Sequence, residues 1–69
     1  MTKQQKGQLK RYEGLAFRIA LADDHLRFAK ANRMATDKLT LAENYIARYG
    51  PGGLAQANRR GIERAQGRV

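Results

Sequence analysis

The stretch LKRYEGLAFRIALADDHLRFAKANRM, residues 9–34, decides how this chain reads. It holds one glycine and no proline. At about 100° per residue, Tyr12, Leu15, Ile19, Ala22, Leu26 and Ala29 fall on one side, and Phe17, Leu21 and Phe28 on roughly the other. A surface helix of a monomer carries one apolar stripe facing its core. Two opposed stripes predict two packing partners, a second helix of the same chain and a second copy or foreign protein. The pattern points to an interaction protein and away from an enzyme.

Working outward, Thr2 and Gln5 have the spacing of a capping box, with the Thr hydroxyl accepting from a backbone amide and Gln reaching back. Lysines in that turn oppose the helix dipole, and Gly7 weakens it further. A first helix is expected over about 8–33. The corner is expected within Asn32–Asp37, where Asn can adopt a left-handed conformation and Thr36 or Asp37 can cap the next helix. Thr40 with Glu43 offers a later start, and a single helix over about 8–49 is the alternative. The second helix places Leu39, Ala42, Tyr45, Ile46 and Tyr49 on one arc, and Gly50-Pro51-Gly52-Gly53 ends it.

These features predict an all-α fold, a two-helix hairpin over 1–50 followed by a Gly/Pro turn and basic tail over 51–69. The tail is either a short helix docked through Leu54, Ala57 and Ala65 or a basic arm. A chain of 69 residues buries a small core. Without cysteine, and with one histidine, neither disulfides nor a metal cage supply the usual reinforcement. Oligomerisation is left, so a homodimeric four-helix arrangement is expected, with Phe17, Leu21 and Phe28 as its seam. No cofactor or metal is expected.

The net charge of +8 favours an acidic partner, although the six acids are interspersed at helical salt-bridge spacings such as Asp23 with Arg27. No segment is apolar and long enough to cross a bilayer, and the start lacks a secretory core, so a cytoplasmic protein of a host cell is expected. Membrane binding ranks last, because the second stripe leaves no broad polar face.

Catalytic constellations are absent. The sequence Ala22-Asp23-Asp24-His25 gathers ionisable groups, yet adjacent helical residues diverge and do not converge on a substrate. There is no serine, and GPGG follows no strand, so it punctuates a helix and cradles no phosphate. Tyr45, Arg48 and Tyr49 are hot-spot residue types and form the candidate partner-binding set, with the tyrosines alternatively covering the hairpin core. The second functional class is a small DNA- or RNA-binding protein. Its candidate residues are Arg59, Arg60 and Arg64, either contacting phosphates or placed by a helix-turn-helix across GPGG.

Two resemblances bear on function. The opening MTKQQK and the later IARYG resemble Rop-type plasmid proteins, dimers of helical hairpins that bind paired RNA loops. Taken whole, a cysteine-free, basic, Arg- and Ala-rich helical chain with this two-faced first helix and the GPGG stop is similar to the quorum-sensing anti-activators of Mu-like phages. That resemblance implies a helical dimer that occludes the DNA-binding domain of a LuxR-type regulator and inhibits a type IV pilus assembly ATPase. A small phage-type inhibitor of host regulatory proteins, with no small-molecule substrate, is the leading expectation.

Overall fold

A computed structural model describes residues 1–67, so the last two residues of the expected 51–69 tail lie outside the described residues. The chain is all-helical, with α1 over Lys3–Asp24, α2 over Phe28–Tyr49 and α3 over Leu54–Gln66. Helix α1 is the centre and packs against both others. The result is a slab of 35 × 23 × 16 Å.

Thr2 caps α1 as expected, its Oγ1 accepting from the Gln5 amide at 3.1 Å. The reciprocal half of the capping box does not form. Gln5 instead donates from Nε2 to the Tyr45 hydroxyl at 3.0 Å, which ties the first turn of α1 to the end of α2. That tie explains why the helix runs from Lys3 and not from about residue 8.

The corner is the main correction. It falls at His25–Arg27 and not within 32–37, so the helix expected over 8–33 is two helices. The Arg27 amide donates to the Ala22 carbonyl at 2.8 Å and the Leu26 amide to Asp23 at 3.0 Å. This is a Schellman closure, and its left-handed residue is Leu26, at φ 58°. A non-glycine residue there costs roughly 1–2 kcal/mol. No glycine marks the turn in sequence, so the signal that usually announces it is missing.

Helix α2 ends at Tyr49 as the sequence predicts, with Gly50 at φ 81° donating its amide to the Ile46 carbonyl. Gly53, at φ 93°, opens α3, and a Cβ there would sit 3.2 Å from the Leu9 side chain. Leu54, Ala57, Gly61 and Ala65 form the buried face of α3. Of the two alternatives for the tail, the docked helix is the one observed. Gly61 is the closest approach, since a Cβ there would lie 2.4 Å from the Glu13 carbonyl oxygen, 2.8 Å from the Ala16 Cβ and 3.0 Å from the Phe17 nitrogen. Three small residues at four-residue spacing let the two backbones meet.

Leu9, Tyr45, Leu54 and Ala57 form the core cluster, with Tyr12, Ala42 and Tyr49 against it. Across the described residues, five of the eight buried apolar residues are alanines (Ala16, Ala22, Ala31, Ala57 and Ala65). The large side chains Leu26, Phe28, Leu39, Ile46 and Ile62 lie outside. Size is inverted between core and surface. The accessible surface, 5014 Å², exceeds the roughly 4,400 Å² of a compact monomer of this mass.

Candidate binding surfaces

Three surfaces result from this architecture. The first is the outer side of α2. Phe28, Asn32, Ala35, Leu39, Ala42, Ile46 and Tyr49 recur at alternating spacings of four and three, the pattern of a helix-pairing seam. Phe28 is 57% exposed, Leu39 60% and Ile46 45%. Ala42 and Tyr49 turn partly into the core cluster. The exposed part is the apolar length of α2 that the intramolecular packing leaves uncovered. The strained Leu26, 73% exposed, sits beside its N-terminal end.

The second surface is the α1–α3 flank. Glu13 accepts from Arg60 Nε and Arg64 Nη1, both at 3.0 Å. The Arg60 hydrogen bond is the largest influence holding the Glu13 carboxyl below its ordinary pKa, with the Arg64 bond adding to it against partial desolvation. Arg64 also lies over the Phe17 ring, 4.6 Å from its centroid. Two cations share one carboxylate, so the flank stays positive.

The third is a groove on the other flank of α3, between it and α1, lined by Ile19, Ala20, Asp23, Asp24, Asn58 and Ile62 with Lys38 reaching in from α2. Lys38 Nζ donates to Asn58 Oδ1 and stands 5.0 Å from the Tyr12 ring centroid. Burial pushes the Lys38 ammonium pKa down. Lys38 thus pins α2 to α3 across α1.

The expected site residues distribute unevenly over these surfaces. Phe17, Leu21 and Phe28 do not lie along one helix. Phe17 is half-buried beneath Arg64, Leu21 is half-buried on α1, and Phe28 stands exposed beyond the corner. The early corner separates them. Tyr45 is 1% exposed, donates to the Gly52 carbonyl at 3.0 Å and accepts from Gln5, so it belongs to the core and is corrected out of the partner-binding set. Arg48 is exposed, 5.9 Å from the ring centroid of the half-buried Tyr49, and these two remain available. Arg60 and Arg64 are engaged by Glu13, whereas Arg59 is exposed and makes no ion pair among the described residues. Helix α3 packs along α1 and meets α2 mainly at Tyr45, in the core cluster with Leu54 and Ala57, and at the Lys38–Asn58 hydrogen bond, so α2 and α3 do not form a helix-turn-helix unit. Sequence reasoning missed Gly61 and Lys38. The small-residue spacing Ala57, Gly61, Ala65 carried the first signal, and nothing in the sequence carried the second.

Among the described residues, no group of three or more His, Cys, Asp or Glu side chains could hold a metal ion. Among the same residues no helix is long and apolar enough to cross a membrane. No family model, curated protein or solved structure matches this chain.

Proposed function

We propose that this protein is a non-catalytic, self-associating interaction protein that inhibits a larger partner by covering a surface the partner needs. The observation that carries the reading is the inverted core. Fully burying a Leu, Ile or Phe stabilises by about 1.5–3 kcal/mol, yet Phe28, Leu39 and Ile46 stay outside while five of the eight buried apolar residues are alanines. A second α2 is the occupant that fits, because four-three spacing selects another helix at a shallow crossing angle. Asn32 is the polar residue within the seam, the kind that fixes register at some cost in stability. The expected homodimer is kept with its seam moved, so that Phe28 stays in it and Leu39 and Ile46 replace Phe17 and Leu21.

Arg48 borders the end of this seam, beside its last residue Tyr49, and serves the foreign partner. The resemblance to phage anti-activators makes the DNA-binding domain of a LuxR-type regulator the first partner to test, and a type IV pilus ATPase the second. Sedimentation equilibrium on the wild type and on the double variant Leu39→Asp/Ile46→Asp tests the assembly. The wild type should be a dimer and the variant a folded, helical monomer with weakened regulator binding. A wild-type monomer at all concentrations would refute the seam. A dimer that survives both charges would refute it equally.

A further inference from the structure

Helix α1 has one arc that neither α2 nor α3 covers. Lys3, Gly7, Lys10, Arg11, Gly14 and Arg18 fall within about 100° of one another around the helix. From Lys3 to Arg18 they span about 22 Å. The four cations are exposed. A Cβ built on Gly7 or Gly14 would meet nothing within 4 Å, so these positions open onto solvent. Between Lys3 and Arg18 the arc holds no acidic, aromatic or large aliphatic residue. The one carboxylate of this part of α1, Glu13, points to the α3 flank and is occupied by Arg60 and Arg64. On the α2 side Lys10, Arg11, Gly14 and Arg18 form one wall of an open groove whose other wall carries Thr40, Asn44 and one acid, Asp37.

We propose that this ridge of α1 binds the phosphodiester backbone of a duplex nucleic acid. The charge is concentrated in a straight line and faces a single acid, Asp37 across the groove, so four cations are offset by one carboxylate, unlike the interspersed charges elsewhere. The bare glycines let a phosphate chain approach the helix backbone between the cations. Single-stranded nucleic acid is disfavoured because the ridge offers no aromatic platform for unstacked bases. A lipid surface is disfavoured because the ridge has no apolar side chains to insert. Its four cations are assigned to phosphates, which position a duplex and carry no sequence information, so binding is predicted to be independent of sequence. The proposal stands apart from the α2 seam and does not depend on it. It also moves the nucleic-acid surface away from Arg59.

The test is a fluorescence-anisotropy titration of the full chain against a short DNA duplex, an RNA duplex of the same sequence, and phosphatidylserine vesicles. Four phosphate contacts predict a slope of log K against log salt near −3.6, about a 150-fold loss of affinity between roughly 50 and 200 mM salt. Arg11→Gln/Arg18→Gln should halve the slope and weaken binding about 60-fold near 0.1 M salt. Both side chains are exposed, so circular dichroism should be unchanged. Arg59→Gln should bind as the wild type does. Comparable binding of both duplexes supports backbone recognition, and preference for one identifies the duplex form that the ridge fits. Absence of duplex binding at low salt, binding only to vesicles, or loss in Arg59→Gln with retention in Arg11→Gln/Arg18→Gln would each overturn the proposal.

Discussion

Replacing Gly61 with alanine isolates the contact on which the placement of α3 rests. In a solvent-exposed helix interior this exchange stabilises by about 0.5–1 kcal/mol, because alanine restricts the unfolded chain and glycine does not. At Gly61 the new methyl group would meet a carbonyl oxygen at 2.4 Å and a backbone nitrogen at 3.0 Å. Backbone atoms cannot rotate away, so α3 must lift off α1 and thin the packing of Ala57 and Ala65. Overpacking of this kind costs typically 1–3 kcal/mol. The propensity gain offsets part of it, leaving a net loss of about 1–2 kcal/mol, or a fall in Tm of roughly 5–15 °C for a domain this size. Gly14→Ala is the control, since its Cβ would meet nothing within 4 Å. It should gain about 0.5–1 kcal/mol. Thermal and urea unfolding followed by circular dichroism report both. If Gly61→Ala matched Gly14→Ala in stabilising the protein, α3 would not be seated against α1 and the fold described here would be wrong.

Two further outcomes follow from the same contacts. Tyr45→Phe removes the hydroxyl that joins Gln5 on α1 to Gly52 after α2, and should cost about 1–1.5 kcal/mol in urea unfolding while leaving helix content intact; a neutral result would mean that water already satisfies these groups. Glu13→Gln removes a carboxylate whose pKa is depressed by Arg60 and Arg64, so its contribution is present above the ordinary value of 4.5 and lost as pH falls through the depressed one. Because both arginines are more than half exposed, the difference at neutral pH should be about 0.5–1 kcal/mol. It should vanish in strong acid, and a difference that grew on acidification would contradict the ion pairs.

Local chemistry was legible in the sequence. The Thr2 cap and the Gly50 stop depend on side chains and glycines within a few residues, and both stand where the sequence puts them. The corner was not legible because Leu26 takes a conformation that its own backbone resists, held by the Schellman hydrogen bonds and by the packing of α2 onto α1. Gly61 reads in sequence as a weak point in a helix. It is a contact point, because its missing side chain matters only once α1 is beside it. The two opposed stripes of residues 9–34 assume one continuous helix, and the corner at 25–27 breaks both, leaving Leu26 and Ala29 of the first stripe exposed. Part of the second stripe meets the chain's own α3, with Arg64 over Phe17, and the remainder passes to α2 at Phe28. Tyr45 shows the same limit, since a hot-spot residue type on a helix face can lie inside or outside. Leu9, Leu54 and Ala57 cover its ring and Gln5 and Gly52 satisfy its hydroxyl, all of them outside α2.

The central claim is that the large side chains outside the alanine core, Phe28, Leu39 and Ile46, are covered by a second copy of α2. The most direct measurement is Tm across a hundredfold range of protein concentration, for the wild type and for Leu39→Asp. Stability of a dimer is linked to protomer concentration by mass action. The account predicts that Tm rises with concentration in the wild type and is flat in Leu39→Asp. A flat wild-type Tm would contradict it.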